Sequence, residues 1–383
     1  MKKNTEAGSN SSPRKTMSDQ ICAYDDCFAE FLKPAANGQK HVQSILLQES
    51  FRRFQDQRVG IQPMSPTTVL DVSCGPGEFS VAWTSAISTF MPAGMEYCCT
   101  DFPGGICKDT SEKYPIATAR KIREAAAKGL VKLTKDPAAV EANLFSGEEA
   151  IISPGKTAHI VHWSHSGYHV RDSLGDLRDD AQAIEQGLNT AIDKIWAALD
   201  ANGLLFTVHQ TDDLSDGIPS EMFPVSTKYL GALANVPTLI AKRVSALGGY
   251  TATVNFATPL KFPDLSGETW DGLKSPAHWD EMDSNQSKAL RLLSFVVHDF
   301  TDSAKSGLAK LSDQGTLGGF INEYAQMVKN NGSHIFVKCA FQMICKNAEL
   351  ATKLSVIAHE LREDMPSYLK EMSRRMQVAE RAM

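Results

Sequence analysis

The chain has little of what would tie it to a membrane, a nucleic acid or an oxidising compartment. No apolar run in its 383 residues approaches the roughly 20 that a membrane span needs, so no membrane partner is expected. Positive charge is not in excess: 39 Lys and Arg face 45 Asp and Glu, and the net charge is −6. Nucleic-acid binding needs a basic footprint, so no nucleic-acid partner is expected either. No Cys-x-x-Cys pair occurs among Cys22, Cys27, Cys74, Cys98, Cys99, Cys107, Cys339 and Cys345. The adjacent Cys98 and Cys99 should point to opposite faces of a strand. Buried, reduced thiols of a cytoplasmic protein are the expectation. Residues 1–17 are rich in Lys, Asn, Ser and Gly and lack an apolar core, so they read as a disordered tail and not as a signal peptide.

What is present is an alternation of strands and helices. Short apolar or β-branched runs at 68–72, 95–101, 159–163, 204–210, 250–260 and 333–344 predict strands. Helices are expected over 18–55 with a break at 34–38, and over 112–128, 284–311, 317–329 and 346–382. A further one spans 179–200, where Ile184, Leu188, Ile192, Ile195 and Leu199 recur at spacings of three and four, and Asn202-Gly203 should stop it. This order implies an α/β fold, a mostly parallel sheet covered by helices on both faces. The organisation expected is a tail at 1–17, a helical cap at 18–60, a sheet domain at 61–345 with a helical insertion at about 262–330, and a C-terminal helix at 346–383. The stripe Leu350, Leu354, Ile357 and Leu361 should pack that last helix on the sheet or on another helix.

The stretch "TTVLDVSCGPGEFSVAW" (67–83) runs from strand to small-residue loop to helix. Open α/β sheets bind ligands at such a carboxyl edge, where glycines let backbone approach closely. Asp71 and Ser73 precede Gly75 and Gly77, and Asp101 ends the next strand, where an acid can accept from both hydroxyls of a ribose. No Lys-Ser/Thr follows the glycines, which disfavours a phosphoryl-transfer loop. The third glycine of a dinucleotide fingerprint is replaced by Ser80, and an acid in the mouth of the loop repels pyrophosphate. The same acid suits a phosphate-free ligand with a cationic amino group. S-adenosylmethionine (SAM) is such a ligand, with Asp71 toward its ammonium and the loop amides toward its carboxylate or ribose.

A second informative stretch is "HIVHWSHSGYHVRD" (159–172), a strand that runs on into a turn. It gathers His162, Trp163, Ser164, His165, Tyr168 and His169 at the ligand edge. Trp163 could pack against adenine. The spacing of His162, His165 and His169 resembles a metal site, but no carboxylate or cysteine completes it, so no metal is expected. Locally satisfied histidines are one alternative. Substrate contact, with one histidine as hydrogen-bond partner or general base, is the preferred one.

"VLDVSCGPGEF" resembles motif I of the class I, Rossmann-like SAM-dependent methyltransferases, whose seven-stranded sheet ends in a hairpin with one antiparallel strand. The family usually has glycine where this chain has Ser73. The resemblance implies SAM as cofactor, with Phe102 beside Asp101 and with Asn143 and Leu144 of "EANLFS" beside the adenine. The 159–172 stretch is similar to histamine N-methyltransferase-like small-molecule methyltransferases, which share the His, Tyr, Val and Asp at His162, Tyr168, Val170 and Asp172. Their substrate-holding positions match His165 and His169 here. Asn331 of "KNNGSHIFV" matches a substrate contact, and "YDDCFAEFL" (24–32), with Tyr24 and Phe28, matches a segment over the pocket. Two departures fall on substrate-facing places: "TDDLSDGIPSEM" replaces a tryptophan-containing loop, and "KPAANGQKH" lacks the substrate-holding acid. A small-molecule methyl acceptor is therefore expected, but not histamine itself.

Methyl transfer from a sulfonium needs alignment and exclusion of water, and a base only where the nucleophile must lose a proton. His165, His169 or His209 could serve as that base. Tyr24, Phe28, Trp163 and Tyr168 could wall the pocket and face a cationic centre. Two other functions stay open on the sequence: an NAD(P)-dependent oxidoreductase, which Ser80 disfavours, and a non-catalytic SAM-binding protein.

Overall fold

A computed structural model describes residues 24–31, 33, 37–57, 65–107, 110–147, 149–177, 180–213, 217–218, 220–230, 235–296 and 307–381. Its strands are β1 (Thr67–Val72), β2 (Met95–Asp101), β3 (Ala138–Glu141), β4 (Ala158–Ser164), β5 (Leu199–Gln210), β6 (Tyr250–Lys261) and β7 (His334–Cys345). They form one sheet in the order β3-β2-β1-β4-β5-β7-β6. The first five are parallel, and β7 runs antiparallel between β5 and β6. This is the mostly parallel, seven-stranded sheet with one antiparallel strand that the sequence leads one to expect.

The helices are α1 (Tyr24–Phe31), α2 (Gln39–Asp56), α3 (Glu78–Ser88), α4 (Tyr114–Ala127), α5 (Ala181–Ala198), α6 (Met222–Leu230), α7 (Val236–Ala246), α8 (Gly267–Gly272), α9 (Ser284–Val296), α10 (Gly307–Asp313), α11 (Leu317–Asn330) and α12 (Ala348–Arg381). Strand alternation divides the core in two. Val69, Tyr97, Cys99, Ile160 and Phe206 face one layer, with Phe51 and Phe54 of α2 and Leu354, Ile357 and Leu361 of α12. Leu70, Val72, Cys98, Val161 and Trp163 face the other, with Ile184, Leu188, Ile192 and Ile195 of α5. Cys98 and Cys99 thus stand on opposite faces, and the seven described cysteines are buried and unbridged. Cys22 lies outside the described residues. The long C-terminal helix packs on the sheet and on α2, where the buried Arg53 reaches Glu360, Asp364 and Tyr368.

Some boundaries differ from those expected. The helix expected to 200 ends at Ala198, and β5 already starts at Leu199, so Asn202-Gly203 lies inside a strand. The ladder with β4 absorbs this extension through a register shift between Ala158 and Ile160. β3 is an addition to the expected strands: four mostly exposed residues at a sheet edge carry no alternation to read. Helices α6 to α8 are additions too, although Asn235 caps α7 through its side chain and Pro237 stands in its first turn. The helix expected over 284–311 is described as α9 and α10, and 297–306 lie outside the described residues. No helix among the described residues is long and apolar enough to cross a membrane.

Candidate cofactor and acceptor site

Parallel register builds the centre of the site. Asp71 of β1 is opposite Cys99 of β2 on one side and His162 of β4 on the other. Side chains at one register level share a face, so His162 Nδ1 lies 3.2 Å from Asp71 Oδ1. Tyr97, two residues before Cys99, brings its hydroxyl to 2.6 Å from Asp71 Oδ2. Ser80 of α3 donates to the same oxygen at 2.5 Å. Asp71 is 2% exposed, and three donors converge on it. Its carboxylate therefore anchors the first turn of α3 to the sheet as well as bordering the cavity.

The chain leaves β1 through three left-handed residues, Ser73 (φ 55°), Gly75 (φ 56°) and Gly77 (φ 96°). Gly77 admits no side chain: a Cβ there would stand 2.8 Å from Thr118 Oγ1 and 3.0 Å from Thr118 Cα. Helix α4 holds the loop from outside, Thr118 donating to the Gly75 carbonyl at 2.8 Å and Lys121 to the Pro76 carbonyl at 2.7 Å. Ser73 occupies a conformation that costs a non-glycine residue roughly 1–2 kcal/mol. Replacing it with glycine is expected to raise stability by about 0.5–1 kcal/mol. Ser73→Val should instead cost ~1–3 kcal/mol. Urea unfolding of the two variants measures both, and a destabilised Ser73→Gly would overturn the strain argument.

Asp101 closes the loop from β2. Its Oδ2 accepts from Gly75 N at 2.6 Å and its Oδ1 from Phe102 N at 2.7 Å. Burial pushes its carboxyl up to about 6, the two amide donors opposing that shift. Phe102 follows at the rim with 56% of its surface exposed, an apolar face unusual for a side chain of its size.

These groups border one cavity of about 760 Å³, within the ~300–1,000 Å³ of small-molecule sites. Of the residues expected for the cofactor, Asp71, Ser73, Gly75, Gly77, Asp101, Phe102, Asn143, Leu144, His162 and Ser164 line it. Of those expected for the acceptor, Phe28, His165 and His169 line it. Helix α1 supplies Phe28, and its Phe31 stacks on Phe295 of α9 at 4.2 Å. His165 stands in the left-handed region at φ 53° and donates its backbone N–H to the Val208 carbonyl. Its Nε2 is buried without a partner, and its ring lies 5.7 Å from Phe79. Burial, reinforced by His162, pulls the His165 imidazole down to about 3, so it is neutral at physiological pH. The 3₁₀ turn Gly167–Ser173 begins beyond His165, so His165 and His169 do not share a helix face.

Three expected residues stand elsewhere. Trp163 is fully buried on the opposite face from His162 and donates to Ser166 Oγ at 2.7 Å, so it is a core residue. His209 is also fully buried, edge-on to Trp163 at 4.8 Å, and does not border the cavity; burial holds its imidazole well below the usual range. Asn331 follows α11 and donates to both carboxylate oxygens of Glu221, away from the cavity. The side chains of Tyr24 and Tyr168 lie outside the described residues. Among the described residues no group of His, Cys, Asp or Glu is placed to hold a metal ion.

Sequence reasoning missed Phe31, Glu78, Phe79, Trp83, Tyr114 and Phe145, which also line the cavity. Glu78 and Phe79 follow Gly77 directly, so proximity to the loop could have found them. The described lining holds Asp71, Glu78 and Asp101 but neither Lys nor Arg.

No family model matches the chain, and no curated protein does. Solved structures match at low identity. A protein from Bacillus halodurans described as a "putative methyltransferase" is 12% identical over 76% of this chain and 97% of that one, with a TM-score of 0.38. An O-methyltransferase family protein from Burkholderia thailandensis is 16% identical over 53% of each chain, with a TM-score of 0.33, so this chain spans about half of it. A geranyl diphosphate methyltransferase, solved with GPP and sinefungin, is 14% identical over 80% of this chain and 78% of that one, with a TM-score of 0.37. At these scores the likenesses carry no argument about activity.

Proposed function

We propose that this chain is a SAM-dependent methyltransferase of the cytoplasm that methylates a nitrogen or oxygen of a small-molecule acceptor. The observation that carries the reading is the pairing of Asp101 with the Gly75 amide across a loop of left-handed residues. That pairing presents a carboxylate, an acceptor for ribose hydroxyls, and a side-chain-free backbone to one cavity. Asp71 and Asp101 at the cavity, with Glu78 paired to Lys121 at 2.5 Å, fit a cofactor that has an ammonium and no phosphate. SAM, when bound, supplies an already activated methyl group.

The chain's own residues then have three tasks. Asp101 and the loop orient the cofactor. Phe28, Phe31 and Phe79 exclude water and wall the acceptor. His165, neutral and with a buried unpartnered nitrogen, accepts a hydrogen bond and is too weak a base to store a proton.

Calorimetric titration with S-adenosylhomocysteine beside NADH tests the reading. Binding of the former supports it, and binding of NADH alone overturns it. Binding of S-adenosylhomocysteine with no turnover across amines, phenols and carboxylic acids would leave a non-catalytic binder. For turnover, His165→Ala is expected to lower kcat/KM by about 10- to 100-fold, the value of one well-placed hydrogen bond to a reacting group. His165→Asn should recover part of it, since Asn tolerates the left-handed backbone and offers an acceptor oxygen. Because His165 is neutral throughout, the ratio of wild type to variant should stay flat from about pH 5 to 9. A ratio that changes near pH 6.5 would show a titrating base instead.

A further inference from the structure

A chain of buried groups leads from Asp71 to a helix that contributes nothing to the glycine loop. The carboxylate only accepts, so the His162 proton facing Asp71 Oδ1 sits on Nδ1. The other ring nitrogen, Nε2, lies 2.6 Å from Nε2 of Gln43 on α2. An amide nitrogen only donates, so His162 Nε2 offers its lone pair. Trp83 stacks on the imidazole at 4.4 Å and 28°, which restrains the ring. Gln43 is 1% exposed, and its Oε1 has no partner. A buried amide with an unmet oxygen is a costly way to fill space that a leucine would fill freely. The amide is therefore explained by what its nitrogen holds.

We infer that Gln43 is a positioning residue of the cofactor site: through His162 it fixes the Asp71 carboxylate, and through Asp71 and Ser80 it fixes the start of α3. The inference rests on the methyltransferase reading for the ligand and on geometry alone for the hydrogen-bond chain. It makes α2, an element before the sheet, part of the cofactor site's support.

Two readouts test it. The first is the ¹⁵N spectrum of the histidine rings. In wild type the ring assigned to His162 should carry a proton on Nδ1 only. In Gln43→Glu the introduced carboxylate accepts, so Nε2 should also be protonated at pH 7. The second is affinity for S-adenosylhomocysteine. Gln43→Leu should weaken it about tenfold, a loss of ~1.4 kcal/mol. Ser50→Ala, a buried change on the same helix whose hydroxyl bonds the Leu46 carbonyl, should leave it unchanged. Gln43→Glu should bind near wild type at pH 7. An Nε2 that stays unprotonated in Gln43→Glu overturns the inference, as does equal affinity in Gln43→Leu and wild type, or equal losses in Gln43→Leu and Ser50→Ala. Should wild type not bind S-adenosylhomocysteine, the methyltransferase reading falls, and the nitrogen spectra alone decide the chain.

Discussion

Asp101→Ala is expected to weaken S-adenosylhomocysteine binding at least about a hundredfold, or ~2.8 kcal/mol. The carboxylate ties down the Gly75 and Phe102 amides at 2.6 and 2.7 Å. Its loss frees the loop and removes the acceptor for a ribose. Hydrogen bonds to a charged group are worth about 1.5–3 kcal/mol each, so losing two or more reaches that figure. The pH dependence has a definite sign. Burial raises the Asp101 carboxyl to about 6 in the folded chain, above the ~3.9 of an unfolded aspartate. The ligand-free protein therefore loses stability as pH rises from about 4 to 6, because ionisation is disfavoured in the fold. A ligand whose hydroxyls donate to the carboxylate favours the ionised form. Binding should then tighten as pH rises through about 6 and level off above about 7. Calorimetry in Asp101→Asn should show weaker binding without that slope. Tightening toward low pH in wild type would contradict the assignment.

Asp71→Ala is expected to be the most destabilising single change in the site, by about 3–5 kcal/mol. The side chain is 2% exposed and receives Ser80, Tyr97 and His162. Its removal leaves three buried donors unmet and detaches α3 from the sheet. Asp71→Asn keeps the shape and one acceptor oxygen, and should lose roughly half as much, since its amide nitrogen faces donors. Equilibrium urea unfolding measures both, and a loss under ~1 kcal/mol in Asp71→Ala would show that the network is dispensable. The two variants separate the acids: Asp101→Ala should cost affinity in a folded protein, whereas Asp71→Ala should cost the fold.

Much of the site was legible because its signals are local. A strand ending in Asp71, small residues through Gly77 and a second strand ending in Asp101 are properties of neighbouring residues, and backbone geometry converts them directly into a ligand edge. Trp163 was misplaced despite an equally local signal. It follows His162 by one residue in a strand, so the two cannot share a face. His209 was misplaced for a related reason: it lies two residues beyond Thr207, which pairs with Trp163 in register and so shares its face. Asn331 was assigned by resemblance, and the segment replacing the relative's loop supplies Glu221 as its partner instead.

By itself the sequence determined the alternating α/β plan, the glycine loop with its two acids, and the histidine-rich end of β4. Each depends on periodicity or on backbone conformations that few residue types adopt. Only the tertiary structure decided which face of the sheet holds the cavity, that Phe28 and Phe31 reach it from α1, and that Gln43 supports His162 across 119 residues of chain. Only burial decided that His165 is neutral and that Asp101 titrates near 6. The physical reason is the same in each case: desolvation and pairing are set by whatever else fills the space around a group, and that neighbourhood is assembled from segments far apart in the chain.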